Sequence, residues 1–310
     1  MDNSKTVYII AGPTAVGKSS VAIEIAKKLN GEVVNCDSVQ LYKYMDIGSA
    51  KPSKEEMQSV KHHLFSAVPP DYNMTVATYQ KLAFACIDDI LKRGKTPVLC
   101  GGTGLYINSI LYEMDFAGDG DDGTRRAELE KMAEENGNEY MHHYLAGIDP
   151  ESAERIHPNN IRKVIRAIEA FELGDGIKSL DECKLNPNYD FKFFALRMDR
   201  EGLYERINDR VDELINKGLI DEVKNLVSMG YTYSPAMKSI GYKELIEYIM
   251  GDTDLDTAID NIKKNTRHYA KRQYTWFNRY NIVKWIDVMP DDSISNITRN
   301  VFNEILNSGE

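Results

Sequence analysis

The stretch Gly12-Pro13-Thr14-Ala15-Val16-Gly17-Lys18-Ser19 decides the fold. It fits the pattern G-x-x-x-x-G-K-[ST] and sits between two segments of different periodicity. Before it, residues 7–11 form a short apolar run rich in β-branched side chains. After it, residues 18–29 repeat apolar side chains at helical spacing (Val21, Ile25, Leu29) and stop at Gly31. A strand feeding a glycine-rich turn that opens a helix is the context this pattern requires. The turn lets backbone N–H groups converge on an anion, and the helix N-terminus adds its partial positive charge. Lys18 supplies a point charge to phosphate oxygens, and the Ser19 hydroxyl suits Mg²⁺. Residues 12–19 therefore read as a phosphate-chain site.

Outward from this turn, strand and helix patterns alternate. Residues 32–36, 96–100 and 191–197 read as strands, 75–92 and 104–111 as helices, and 285–287 as one short added strand. Alternation of this kind gives a parallel sheet with helices on both faces. The expected fold is α/β: a P-loop NTPase-like parallel sheet core flanked by helices, with a helical insertion domain. The core is assigned to residues 1–115 and 190–310. The insertion, residues 116–189, opens on a glycine–aspartate loop at 118–123 and then turns helical between two strand-like segments.

The P-loop alone does not specify a reaction. There is no N-K-x-D guanine motif, and the Cys86-Ile87-Asp88-Asp89 approach to a Walker B pattern lies inside a helical segment. In parallel α/β sheets ligands lie outside the carboxyl ends of strands. Asp37, which ends the second strand, is therefore a candidate general base or indirect metal partner. The third strand ends at Gly101-Gly102-Thr103-Gly104, where Thr103 offers a hydroxyl. The pairs His62-His63 and His142-His143 lack metal-ligand spacing, and His157 reads as structural.

Across 310 residues there are 38 Lys+Arg and 48 Asp+Glu, a formal net charge of -10, with 42% hydrophobic residues. No apolar run is long enough to span a bilayer, and no signal-peptide pattern is present, so a cytoplasmic protein with no membrane partner is expected. Cys36, Cys86, Cys100 and Cys183 have no C-x-x-C spacing and read as reduced, buried thiols. The acidic mean argues against nucleic acid, but its distribution does not. Residues 261–280 contain no acid and carry Lys263, Lys264, Arg267, Lys271, Arg272 and Arg279 among His268, Tyr269, Tyr274, Trp276 and Phe277. Residues 155–168 are also acid-free, with Arg162, Lys163 and Arg166 at i, i+1 and i+4. Basic faces with interleaved aromatics suit a phosphate backbone with stacked bases. A small-molecule kinase using the insertion as a lid, and a non-catalytic RNA-binding protein, are the alternatives from other classes.

These residues resemble the tRNA dimethylallyltransferase (tRNA isopentenyltransferase) family. Beyond the P-loop, the resemblance is carried by Asp37-Ser38-Val39-Gln40 followed by Met45-Asp46-Ile47-Gly48-Ser49-Ala50-Lys51-Pro52, and by Gly101 to Tyr106. It continues in Arg155-Ile156-His157-Pro158-Asn159-Asn160, Arg166-Ala167-Ile168-Glu169 and Leu203-Tyr204-Glu205-Arg206-Ile207. The last matching stretches are Ile240-Gly241-Tyr242-Lys243-Glu244 and Tyr269-Ala270-Lys271-Arg272-Gln273 with Thr275-Trp276-Phe277. It thus runs nearly end to end. Asn278 before Arg279 stands where relatives often continue Trp-Phe with Arg. The zinc-finger extension of eukaryotic relatives is missing, which points to a bacterial form.

The resemblance implies transfer of a dimethylallyl group from dimethylallyl diphosphate to N6 of the adenine 3′-adjacent to the anticodon, in tRNAs reading codons that start with U. The P-loop residues Gly12, Pro13, Thr14, Ala15, Val16, Gly17, Lys18 and Ser19 would hold the diphosphate, since there is no D-D-x-x-D motif to do so; Asp121-Asp122 reads as a solvated turn. Catalytic roles fall to Asp37, Thr103 and Arg206, with Mg²⁺ on Ser19. The tRNA anticodon stem-loop would meet Asp37, Ser38, Val39, Gln40, Thr103, Arg126, Arg162, Lys163, Val164, Ile165, Arg166, Lys271 and Arg272. A monomer is expected.

Overall fold

A computed structural model describes residues 5–114, 124–172 and 183–307. The glycine–aspartate loop at 118–123, with Asp121 and Asp122, lies outside the described residues. The chain divides into two compact units, Met1–Leu111 with Asn186–Glu310, and Tyr112–Leu185. The sequence-based boundaries of 116 and 189 fall about four residues later at each end.

In the first unit the order is β1 (Thr6–Ala11), α1 (Lys18–Lys28), β2 (Gly31–Asn35), α2 (Lys54–Ser59), β3 (His62–His63), α3 (Val76–Lys92), β4 (Thr96–Gly101) and α4 (Gly104–Leu111). The second unit supplies α5 (Thr124–Asn136), α6 (Asn138–Ile148), α7 (Pro150–Arg155) and α8 (Ile161–Glu172). The first unit resumes with β5 (Asp190–Arg197), α9 (Arg200–Asn216), α10 (Leu219–Ser228), α11 (Tyr242–Met250), α12 (Leu255–Phe277), β6 (Val283–Asp287) and α13 (Ile294–Asn307). A 3₁₀ turn at Pro235–Lys238 precedes α11.

The strands form one parallel six-stranded sheet in the order β3-β2-β4-β1-β5-β6. Its central strands are apolar on both faces because helices cover both: Val7, Ile9, Ile10 and Ala11 of β1 are fully buried. The register pairs Ala11 with Gly101 and with Ala195, and Asn35 with Cys100. The carboxyl ends of β1, β2 and β4 therefore finish side by side, and the turns leaving them converge. α1 buries Val21, Ala22, Ile25 and Ala26 against the sheet and carries Lys27 and Lys28 in its last turn, where they complement the helix dipole.

β3 and α13 had no clear sequence signal. β3 is a two-residue edge strand set by pairing His62 with Val33. α13 buries Ile297, Val301 and Ile305 in the same core cluster as α1. A second apolar cluster joins Val211 of α9, Leu219, Val223 and Leu226 of α10, Tyr242 and Leu245 of α11, and Ala258 and Ile262 of α12. The second unit has its own core, in which Leu129, Met141, Leu145, Val164, Ala167 and Ile168 are fully buried. Among the described residues no helix is long and apolar enough to cross a membrane.

Candidate active site

The β1–α1 turn has the backbone that its glycines permit. Gly12 has φ 146°, and a Cβ there would stand 2.8 Å from the Leu196 carbonyl oxygen. Gly17 has φ 99° and opens α1 with no side-chain cap, leaving the helix N-terminus to the site. Ala15 takes a left-handed φ of 67°. Pro13 and Val16 are buried, with Val16 in the core cluster, so Val16 can offer a ligand only its backbone. Lys18 donates from Nζ to the Pro13 carbonyl at 3.4 Å. Burial pushes its ammonium down, and the charges of Asp37 and Cys100 oppose that shift.

Asp37 stands where β2 ends. The fully buried Asn35 fixes it twice, donating from Nδ2 to the Asp37 carbonyl and accepting the Asp37 N–H on Oδ1, both at 2.9 Å. Asp37 Oδ1 in turn accepts the Val39 N–H at 2.9 Å. The carboxylate lines two cavities. One is narrow, close to the size of a single water, and is shared with Lys18, Ser19, His62, Cys100 and Gly101. The other is an open cleft of about 400 Å³. Its polar wall includes Thr14, Ser38, Arg210, Tyr269 and Arg272; its apolar wall includes Val39, Ile207, Val211, Leu214 and Ile262.

Thr103, in the β4–α4 turn, accepts the Ser38 N–H on Oγ1 at 3.0 Å. It also hydrogen-bonds the Tyr269 hydroxyl. Burial and the Asp37 charge push that phenol above its ordinary value. Gln273 is 4% exposed. It accepts the Thr14 N–H on Oε1 and donates from Nε2 to the Gly102 carbonyl, both at 2.9 Å.

The arginine that lines the cleft with Asp37 is Arg210. Arg206 donates from Nη2 to the Pro290 carbonyl at 2.8 Å and is not among the residues lining either cavity. Arg210, one helical turn on, lines the cleft with Ile207, Val211 and Leu214, at i, i+3, i+4 and i+7 of one α9 face. Burial lowers its pKa and the Asp37 charge raises it. No charge pattern singled it out, because the two arginines are four residues apart on one helix.

Other candidates have architectural contacts. Gln40 is buried and donates to the Ser49 and Ala50 carbonyls at 3.0 and 3.3 Å. The same 46–50 turn presents the N–H groups of Asp46, Ile47 and Gly48 to Glu222 at 2.8, 2.7 and 3.0 Å. Lys271 is exposed on α12, while the Arg272 guanidinium lies 5.7 Å from the Tyr269 ring centroid. Burial holds the Cys36 thiol at about 12 and the Cys100 thiol at about 11, so neither is a thiolate nucleophile. Cys86 and Cys183 are only half-buried, and all four are free thiols.

His62 was missed as a site residue. Its Nδ1 donates to the Val60 carbonyl at 2.7 Å, which leaves Nε2 as the acceptor of a neutral ring; that atom is buried without a hydrogen-bond partner. Burial lowers its pKa. Among the described residues no cluster of three His, Cys, Asp or Glu side chains could hold a metal ion.

In the second unit, Arg162, Lys163 and Arg166 are exposed on α8. Val164 and Ile165 are core residues at 0% and 6% exposure, which corrects their assignment to an RNA surface. A run of consecutive residues on a helix cannot share one face. Arg126 is held in a two-bond clasp by the buried Glu169, at 2.9 and 2.8 Å.

The IPP transferase family model matches residues 40–280. A curated tRNA dimethylallyltransferase of Acetivibrio thermocellus is 48% identical over 305 residues, covering 97% of this chain and 96% of that protein. One of Alkaliphilus oremlandii is 49% identical over 296 residues, covering 94% and 95%. The crystal structure of a tRNA isopentenylpyrophosphate transferase from Bacillus halodurans aligns with TM-score 0.74 at 41% identity, over 98% of this chain and 96% of that one. A eukaryotic dimethylallyltransferase solved acting on tRNA aligns with TM-score 0.82 at 28% identity, over 97% and 78%. With matches of this extent around the same P-loop α/β core, the chain belongs to the IPP transferase family of tRNA dimethylallyltransferases.

Proposed function

We propose that this chain transfers a dimethylallyl group from dimethylallyl diphosphate to N6 of the adenine 3′-adjacent to the anticodon, in tRNAs reading codons that start with U. The observation that carries this reading is the position of Asp37, which lines both the narrow Lys18–Ser19 cavity and the open cleft. One carboxylate thus faces a phosphate-binding turn on one side and an accessible chamber on the other.

In this reading the β1–α1 turn and Lys18 hold the diphosphate, and Arg210 adds positive charge where the leaving group develops negative charge. The N6 lone pair attacks the allylic carbon, the carbon–oxygen bond breaks, and diphosphate leaves with the bonding electrons. Asp37 accepts the N6 proton. Thr103 and Tyr269 orient the acceptor side. The adenine must leave the anticodon-loop stack to reach the chamber. The outward basic face of α8 and the Lys271–Arg272 end of α12 contribute phosphate-backbone contacts.

A divalent cation fits the residues present, since Ser19 Oγ and Asp37 are hard oxygen donors beside the phosphate turn. With no acidic cage among the described residues, most of its ligands would be diphosphate oxygens and water. Mg²⁺ is the ion of this class that we assign to Ser19, where it would neutralise diphosphate charge.

The test is incubation with Mg²⁺, labelled dimethylallyl diphosphate and unmodified tRNA carrying adenine next to the anticodon. Label at adenine N6 is expected. No transfer, together with phosphorylation of a small metabolite by ATP, overturns the reading in favour of a kinase.

A further inference from the structure

Gln273 contacts two turns that the proposed reaction must keep in register. Its orientation is fixed by chemistry: Thr14 N–H can only donate, so it takes Oε1, and the Gly102 carbonyl can only accept, so it takes Nε2. The amide also hydrogen-bonds the Tyr269 hydroxyl, which reaches Thr103. The approach to the β4–α4 turn is close: a Cβ on Gly102 would stand 2.1 Å from Gln273 Nε2. Thr14 is committed by this contact. Its N–H is spent on Gln273, so it is not among the amides of the β1–α1 turn that are free to meet phosphate.

Building on the proposed function, we infer that Gln273 is a positioning residue that sets the separation between the diphosphate turn and the Asp37–Thr103 acceptor wall. The β1–α1 turn holds the donor, and the β4–α4 turn carries Thr103, which is bonded to Ser38 beside Asp37. A single neutral, buried side chain ties one turn to the other. Its amide fixes distance while adding no net charge to either side. Alignment of nucleophile, carbon and leaving oxygen is sensitive to displacements of about 1 Å, which cost on the order of 10²-fold in rate.

The experiment compares the full-length wild-type protein with Q273M, which keeps the length of the side chain and removes both hydrogen bonds. It measures melting temperature, kcat and donor KM for transfer to tRNA, and the ratio of dimethylallyl alcohol to prenylated tRNA. Loss of register predicts kcat down about 100-fold, donor KM changed by less than about threefold, and a raised alcohol fraction as water intercepts the misaligned donor. G102A, which displaces the amide while keeping Gln273, is expected to give the same signature. It replaces Q273M if that variant does not fold.

An unchanged product ratio, with kcat falling only in step with the folded fraction, overturns the inference and leaves Gln273 as ordinary packing. Failure of the wild-type protein to prenylate tRNA overturns the proposed function instead. Wild-type transfer with fully active variants overturns only the role of Gln273.

Discussion

Ser38 donates its backbone N–H to Thr103 Oγ1 at 3.0 Å, and Thr103 donates its own N–H to the Cys36 carbonyl at 3.1 Å, bracketing Asp37 between them. The carboxylate and the hydroxyl of the proposed acceptor wall therefore move as one piece. T103V removes the acceptor of the Ser38 N–H and leaves the Tyr269 hydroxyl with Gln273 alone. Leaving a buried N–H unpaired costs about 1–3 kcal/mol of stability, and the loosened Asp37–Thr103 pairing predicts kcat down by roughly 10- to 100-fold. T103S keeps the hydroxyl and should stay within a few-fold of wild type. Steady-state kinetics of the two variants check this; equal activity would mean that the hydroxyl is dispensable.

Arg210 and Arg206 give a second contrast. Arg210 shares the cleft with Asp37, whereas Arg206 is bonded to the Pro290 carbonyl. If Arg210 contacts the diphosphate, R210A loses charged hydrogen bonds of about 1.5–3 kcal/mol, or roughly 10- to 100-fold in donor KM. R206A should alter thermal stability more than donor KM. Donor titrations at saturating tRNA distinguish the two, and a larger KM effect in R206A would reverse the assignment.

The readability of these parts from sequence followed the range of the interactions that make them. The β1–turn–α1 unit, the strand ends at Asp37 and Gly101, and α4 are set by local period and turn chemistry, so spacing located them. Arg210 was not legible: choosing it over Arg206 depends on which α9 face meets the cleft, a tertiary fact. Gln273 lies in a stretch whose basic and aromatic residues dominate the pattern, and its partners are 259 and 171 positions away. Val164 and Ile165 enter the expected RNA surface through the resemblance, which implies the whole 162–166 stretch, whereas helical period turns them into the core. β3 exists only because a neighbouring strand pairs with it.

Glu32 predicts the acid limit of the fold. It is 1% exposed at the start of β2. Arg93 grips it at 2.5 and 2.7 Å, with Lys95 at 2.9 Å and His63 at 2.7 Å. These hydrogen bonds, those of Arg93 foremost, hold its carboxyl far below the usual glutamate range. A depressed folded-state pKa contributes stability that is present above the unfolded value, near 4.3, and lost as pH falls below it. The Glu32 contribution to melting temperature should therefore hold from neutral pH to about 5 and then drop. E32Q leaves Arg93 and Lys95 facing a neutral amide. It should lose about 3 kcal/mol at pH 7 and show a shallower acid decline. An acid profile identical to wild type would transfer the effect to other carboxylates.

His62 sets a second pH limit. Burial lowers its pKa, and its Nε2 is buried without a partner beside Lys18 and Ser19. The unfolded chain then binds a proton more readily than the folded one, so stability falls as pH drops below about 6.5. Protonation would also add positive charge and an unsatisfied donor to the narrow cavity. H62N, which cannot titrate, should flatten the stability profile between roughly pH 6.5 and 5. Calorimetry across that window measures it, and a wild-type-like slope in the variant would exclude His62 as the cause.

The basic residues of the second unit divide into two groups with opposite expectations. Arg162 and Lys163 are exposed, while Arg126 is clasped by Glu169, which is 2% exposed and is also 3.4 Å from Arg166. Removing Arg126 leaves a buried carboxylate short of its main partner. R126A should therefore destabilise the second unit by about 2 kcal/mol. R162A/K163A should leave stability unchanged within about 0.5 kcal/mol, as exposed substitutions usually do. If these two side chains contact phosphate, the double variant releases fewer counterions on binding. The slope of log affinity against log salt should then flatten by roughly 1.5. Binding of tRNA measured across a salt series decides this, because a weakened but equally salt-dependent complex would mean that the exposed face of α8 is only a solvated helix surface.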